Sequence, residues 1–467
     1  MAKTEKTAGE QLKKKLLMDP QNGGLTLDDK ELEKVQKFCE NYKKFLDAAK
    51  TEREAVQAVE AMAQKHGYRP YDPRAEYKPG DKVYVNNRGK AMLLCTFGTQ
   101  PLSAGVRIMA SHIDNPRLDL KPRPLYEDGQ LGYFKTHYYG GLKKYQWGAI
   151  PLALHGVIVK KNGETVQVRI GEDDGDPVFC VTDLLPHLAK EQMKRPLQEG
   201  LKGEELNVLI GCHPFRDDKV SEKVKLNLMK LMNEKYGIVE TDFLSADLAA
   251  VPTFKARDLG LDRSMIGAYG HDDRVCAYTS LMAELEQKKP SRTTVLALAD
   301  KEETGSDGNT GMSSHYLEDF IKDLAAGQGL TGRAVLAASS CLSADVNCAF
   351  DPTFPDVSEK NNTSYLNYGV VITKYTGSGG KYGTSEATAE FMAKVRDMLD
   401  RGGVVWQTGE LGKVDGGGGG TVAKYIAKLN VDVVDVGVPV LSMHAPFEVV
   451  SKLDVYMTYR AFCEYIK

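Results

Sequence analysis

In this sequence the side chains that can bind metals or move protons stand where apolar runs end. After VRIMAS comes His112-Ile113-Asp114, and after TVLALA come Asp300, Glu302 and Glu303. LAASSCLSA is followed by Asp345, VPVLSM by His444, and His271-Asp272-Asp273 precedes the helical pattern DRVCAYTSL. Each has an ordinary explanation as a helix cap, a solvated strand end or a hydrogen-bonded surface histidine. Their recurrence at five junctions does not. Ligands of α/β sheets bind beyond the carboxyl ends of the strands, which is where these groups fall. Two histidines with three carboxylates suit zinc, cobalt or manganese, because calcium prefers an all-oxygen shell and structural zinc favours thiolates. A pair of ions about 3.5 to 4 Å apart would need one bridging carboxylate, leaving one histidine and one carboxylate for each. Asp114, two residues past His112, can accept the second ring N–H and fix the tautomer.

Glu302 and Glu303 pose a specific problem. Successive side chains on a strand face apart, so the two share a site only if the strand ends near Asp300.

The elements that must position these groups are readable from periodicity. LTLDDKELEKVQKFCENYKKFLDAAKTEREAVQAVEAMAQK has apolar residues at helical spacing and predicts two helices. KAMLLCTF and GVRIMASHID predict strands. The stretch from about 118 to 255 reads as β-rich, with PLALHGVIVKK and ETVQVRIG joined at Asn162-Gly163, a hairpin signal in which both turn residues take positive φ. From about Pro252 helices and strands alternate: DDRVCAYTSLMAELEQKK as helix, TVLALAD as strand, MSSHYLEDFIKDLAA as helix, GRAVLAASS as strand, and a last helix near VSKLDVYMTYRAFCEYI. That pattern predicts an α/β fold, a mixed sheet flanked by helices, with an inserted β-rich domain. The expected division is residues 1–117 with 256–467 as the catalytic domain, and 118–255 as the insertion.

The bulk numbers exclude some functions. With 61 basic and 64 acidic residues the formal charge is −3, which supplies no broad surface for nucleic acid. No apolar run approaches the ~20 residues that span a bilayer, and the start MAKTEKTAGEQLKKKLL lacks an apolar signal core, so a cytoplasmic location is expected. Eight cysteines without a CxxC pattern suit reduced thiols. Residues 1–15 read as a solvated helix or frayed end.

ASHIDNPRLDLKP, GHDDRVCAY, DKEETGS, LSADVNCAFDP and VLSMHAPFE, in this order and spacing, resemble the aspartyl aminopeptidase family of dinuclear zinc exopeptidases. YYGGLKKYQW is similar to the family's glycine-rich segment early in its inserted domain, so the resemblance spans nearly the whole chain. It implies two divalent ions per subunit, zinc or else cobalt or manganese. By position it implies that Asp272 bridges them, with His112 and Asp345 on one and Glu303 and His444 on the other. Asp272 is preferred to Asp273 because the family places its bridge first in such a pair. Glu302 would be the general base, Asp114 would orient His112, and His271 would be structural. The resemblance further implies peptide substrates and a homo-oligomer, a dodecamer built through the inserted dimerisation domain.

Two positions depart from the family's pattern. DLLPHLAKEQ offers His187 one residue after Pro186, and Glu191 where many members carry histidine. The run after Asp345 reads Val346, Asn347, Cys348, Ala349, Phe350, Asp351, without the histidines of relatives. Asp351 would repel an acidic substrate side chain, which argues against acidic specificity. Lys374 and Lys381 are the remaining candidates to receive a substrate carboxylate, with ordinary surface lysines as the alternative. GKVDGGGGGTVAKYI lacks the GK[ST] ending of a phosphate loop. The same metal cage would also serve a carboxypeptidase or deacylase, and a silent shell or binding protein would keep the fold without turnover.

Overall fold

A strand that is apolar on both faces must be covered on both, and four such strands lie side by side at the centre of this protein. The computed structural model describes residues 7–467. The central strands Thr294–Ala299, Arg107–His112, Ser340–Ala344 and Asp432–Gly437 run parallel in that order. They belong to a nine-stranded sheet. Ala91–Thr96 joins antiparallel on one flank and Val370–Thr373 on the other, so the sheet is mixed. Parallel neighbours put successive carboxyl ends along one rim, and His112, Asp300 and Asp345 all sit there.

Helices cover both faces. Asp29–Ala48 starts at Asp28, whose side chain accepts the Glu31 N–H, and it buries Val35, Cys39, Tyr42, Phe45 and Leu46 along one stripe. Val35, Phe45 and Leu46 each contribute about 1.5–3 kcal/mol by their burial. Glu52–Lys65, Lys452–Tyr465 and His271–Leu285 pack on the same side, whereas Tyr316–Ala326 and Gly332–Ala337 pack on the other.

Two further sheets complete the architecture. One has seven strands, all antiparallel, drawn from between Arg117 and Pro252, with its own core around Trp147, Phe134, Phe243 and Ile158. The other has five short strands, in the order Arg257–Leu259, Met265–Ala268, Glu448–Ser451, Pro439–Leu441 and Asn347–Cys348.

Three local expectations are corrected. GRAVLAASS is not a strand: Gly332–Ala337 is helical, capped by the Thr331 hydroxyl, and the strand begins at Ser340. A short apolar run does not distinguish the two, and here Val335 and Leu336 are buried against the preceding helix. At Asn162-Gly163 only the glycine has positive φ. The turn is one residue longer than a two-residue loop, with Gly163 N–H donating to Lys160 O and Lys160 N–H to Glu164 O. Finally, the five junctions do not share one sheet, since Asp272 and His444 follow strands of the five-stranded sheet.

All eight cysteines are unpaired; Cys39, Cys95, Cys276 and Cys341 are buried. Ala8–Leu16 is a helix with no buried residue, and residues 1–6 of the lysine-rich start lie outside the described ones. Among the described residues no helix is long and apolar enough to cross a membrane.

Candidate metal centre

The strand carrying Glu302 and Glu303 ends at Ala299, and the chain then turns sharply. Lys301 takes a left-handed conformation, φ 69°, and Glu302–Thr304 forms a single 3₁₀ turn closed by Gly305. A non-glycine residue there costs about 1–2 kcal/mol. Bonds from the Ser306 N–H to Lys301 O and from two consecutive N–H groups to one carboxylate offset that cost: Glu302 N–H donates to Asp114 Oδ1 and Glu303 N–H to Asp114 Oδ2, each at 3.2 Å. With the strand ended, both glutamates reach the same cluster.

That cluster is organised around Asp272. Its Oδ1 lies 3.2 Å from His112 Nε2, and its Oδ2 lies 3.1 Å from His444 Nε2. Asp345 Oδ1 is 3.8 Å from His112 Nε2, and Glu303 Oε2 is 3.7 Å from His444 Nε2. The other ring nitrogens are spoken for. His112 Nδ1 faces the Asp114 carbonyl at 3.0 Å and its carboxylate at 3.3 Å, while His444 Nδ1 faces the Gly141 carbonyl at 2.7 Å. Acceptors at Nδ1 hold a proton there and leave each Nε2 aimed at the carboxylates, the ring orientation a metal ligand needs.

The electrostatics describe a cage short of positive charge. Burial pushes the Glu302 carboxyl up to about 8, against the pull of His112 and with the push of Asp345, Asp114 and Asp272. Burial and then Asp272 raise Glu303 well above the carboxylate range. Burial opposes a charged His444, yet the hydrogen bond and charge of Asp272 and the charge of Glu303 take it up to about 11. Crowded acids in a low-dielectric site are stabilised by a cation. Glu303 Oε1 is buried without a hydrogen-bond partner, an acceptor awaiting one. Imidazole nitrogens with carboxylate oxygens form a donor set that fits zinc. The cage opens to solvent at His444, whose side chain is 34% exposed, whereas that of His112 is 1% exposed.

Asp273 is a geometric alternative. One ligand atom each from His112, Asp273 and Asp345 falls within 4.8 Å of the others, as does one each from His112, Asp272 and Glu303. Asp273 Oδ2 accepts the His112 backbone N–H, and only Asp272 presents one oxygen to each histidine. His271 turns away: Nδ1 meets the Tyr42 hydroxyl at 2.8 Å and Nε2 the Ile266 carbonyl at 3.1 Å. Burial takes its pKa down to about 3, so it is a neutral structural group.

Several supporting residues escaped the sequence reading. Tyr139, at the end of strand Leu131–Tyr139 in the seven-stranded sheet, donates its hydroxyl to Asp114 Oδ2 at 2.6 Å. Arg117 and Lys301 both lie over its ring. A Cβ on Gly140 would stand 3.1 Å from Glu303 Oε2, and one on Gly141 would stand 3.3 Å from His444 Nδ1. YYGG is thus the contact between the inserted sheet and the cage, and its adjacent glycines were the available signal. Glu448 is buried and accepts the backbone N–H of Asp272 at 3.1 Å and of His444 at 2.7 Å. It closes the VLSMHAPFE motif, but the sequence reading gave it no role.

The substrate candidates make no hydrogen bond or ion pair with the cage residues. Lys374 and Lys381 are exposed and both face Glu386, at 3.6 and 3.0 Å. His187 is exposed on the loop following strand Cys180–Val181 and makes no hydrogen bond to the cluster.

Residues 45–466 match the family model described as aminopeptidase I zinc metalloprotease, M18. A Clostridium acetobutylicum protein named "Probable M18 family aminopeptidase 1" is 49% identical over 459 residues, 97% of this chain and 99% of its own. The crystal structure of a Thermotoga maritima M18 aminopeptidase superposes with a TM-score of 0.93 at 42% identity, covering 97% of this chain and all of that one. The structure of the S. cerevisiae mApe1 dodecamer shares the fold with a TM-score of 0.73 at 20% identity, covering 91% of this chain and 95% of that one.

Proposed function

We propose a mechanism from one premise: the chain belongs to the aminopeptidase I zinc metalloprotease family, M18, and is a metal-dependent aminopeptidase. In this reading two divalent ions would be held by His112, Asp272 and Asp345 on one side and by Asp272, Glu303 and His444 on the other. The observation that carries it is the division of Asp272, one oxygen 3.2 Å from His112 Nε2 and the other 3.1 Å from His444 Nε2. Bound there, two divalent ions would polarise the scissile carbonyl and make a water acidic enough to give up its proton near neutral pH.

The rest is the work of side chains. Glu302 accepts the proton of the attacking water and returns it to the leaving amine. Support comes from its backbone tie to Asp114 and from its Oε2, 4.0 Å from His112 Nε2. Asp114 holds the His112 tautomer and the Glu302-Glu303 turn together. An acidic substrate side chain would have to displace Glu386 to reach Lys374 or Lys381, so acidic specificity is not proposed.

The seven-stranded sheet fits the role of an inserted dimerisation and lid unit, residues 118–255, within a catalytic unit of 1–117 and 256–467. Leu184, Leu185, Leu188, Met193 and Leu197 are exposed along one stretch of it, an apolar surface suited to another subunit. With the fold of a yeast dodecamer, a homo-dodecamer is the assembly we assign, in the cytoplasm, acting on peptides. Native mass spectrometry tests the assembly. A panel of aminoacyl reporter substrates, assayed with zinc-, cobalt- and manganese-loaded protein and with Glu302→Gln, tests the mechanism. Full activity in that variant would sink the role of Glu302. Cleavage that survives a blocked peptide amine and fails with a blocked carboxylate would favour the carboxypeptidase reading.

A further inference from the structure

At the opposite end of the central sheet from the cage is a cavity of about 630 Å³. Arg107, Ser340 and Asp432 open three adjacent parallel strands and stand in register on its floor. Arg107 begins the strand that ends in His112, so at ~3.3 Å per residue the two sites are separated by roughly 16 Å of strand.

The cavity collects cations beyond its own carboxylates. Arg107, Arg292, Lys394, Arg401 and Lys467 line it, against Asp432 and Glu464. Arg401 pairs with Asp397 outside it, and Lys467 pairs with Glu464. Among the described residues no carboxylate lies within ion-pair distance of Arg107, Arg292 or Lys394. The half-buried Arg107 guanidinium donates to the Tyr465 carbonyl and stacks on the Tyr465 ring, 5.6 Å from its centroid. Burial and the neighbouring charge of Arg292 hold its pKa below the usual arginine value. Keeping two like charges together, one of them half-buried, is unfavourable unless an anion joins them.

We propose that this cavity is a second ligand site, for a phosphorylated organic small molecule. Guanidinium forks match phosphoryl oxygens, which assigns the charged end to Arg107, Arg292 and Lys394. The volume is well beyond a lone phosphate and typical of small-molecule sites. Phe391, Val395 and Met398 offer the apolar wall for the organic part.

Isothermal titration calorimetry of the metal-loaded protein at low salt tests this with ADP, glucose 6-phosphate, inorganic phosphate and adenosine as probes. At least one phosphorylated organic probe should bind saturably and more tightly than inorganic phosphate, and adenosine should not bind. Affinity should fall at least tenfold in Arg292→Ala/Lys394→Ala, while ligand-free peptidase activity stays unchanged. Absence of saturable binding, or equal affinity for inorganic phosphate, would overturn the proposal. Undiminished binding in the variant would place the probe elsewhere, at the metal cage for instance, and overturn it as well. So would an altered oligomeric state of the variant, because the cavity would then be a subunit contact.

Discussion

Glu302 and Glu303 are neighbours in sequence with different surroundings, and the difference predicts different failures. Glu302→Gln keeps the shape of the turn and removes the proton acceptor, so kcat should fall by roughly 10² to 10⁴ with zinc content retained. Glu303→Gln replaces a donor facing His444, so zinc content should fall along with activity, read by elemental analysis of dialysed protein. If both variants lose metal equally, the division of labour is wrong. Tyr139→Phe removes the hydroxyl that Asp114 accepts at 2.6 Å. It should lower metal affinity or activity about 10- to 100-fold with the fold intact, because partners of ligand-orienting groups matter on that scale. Unchanged kinetics in Tyr139→Phe would mean that the Asp114 bonds to the Glu302 and Glu303 N–H groups suffice alone.

At the level of elements, the cage depends on three sheets meeting. The nine-stranded sheet supplies His112, Glu302, Glu303 and Asp345, the five-stranded sheet positions Asp272 and His444, and the seven-stranded sheet delivers Tyr139, Gly140 and Gly141. Gly140 has φ 76° and a site only 3.1 Å from Glu303 Oε2 where a Cβ would fall. Gly140→Ala should therefore weaken metal binding by displacing Glu303 while circular dichroism stays native; full zinc occupancy in that variant would show that the segment yields. The Asp29–Ala48 helix was legible because its apolar period runs over 20 residues. Gly332–Ala337 was not, because six residues are too few to show a period.

For the whole molecule, the junction between the Glu52–Lys65 helix and the seven-stranded sheet is ionic and buried. Lys50 Nζ donates to Glu172 Oε1 at 2.6 Å, and His155 bridges Glu54 at 2.8 Å and Glu172 at 3.1 Å. Burial opposes the charged Glu172, yet His155, Lys50 and Lys255 take its pKa down to about 2. A depressed carboxyl stabilises the fold above its unfolded pKa, near 4.5, and that contribution is lost as pH falls toward 2. Acid unfolding midpoints should shift upward in Lys50→Ala, with about 1.5–3 kcal/mol lost at neutral pH, since Glu172 keeps His155 and Lys255 but loses one buried charged partner. A variant with wild-type stability at pH 7 would show that solvent reaches Glu172.

The sequence by itself determined the donor types, their order and the strand ends that carry them, because periodicity and residue chemistry are local. The α/β class, the five junctions and the need for the strand to stop before Glu302 were legible for that reason. What only the tertiary structure decided is which oxygen faces which nitrogen. Asp272 and His444 arrive from a separate five-stranded sheet, Glu448 ties their backbones together from a buried position, and Tyr139 reaches Asp114 from the strand paired with Arg117. Contacts between residues more than a hundred positions apart are set by how three sheets pack, and no local pattern encodes that.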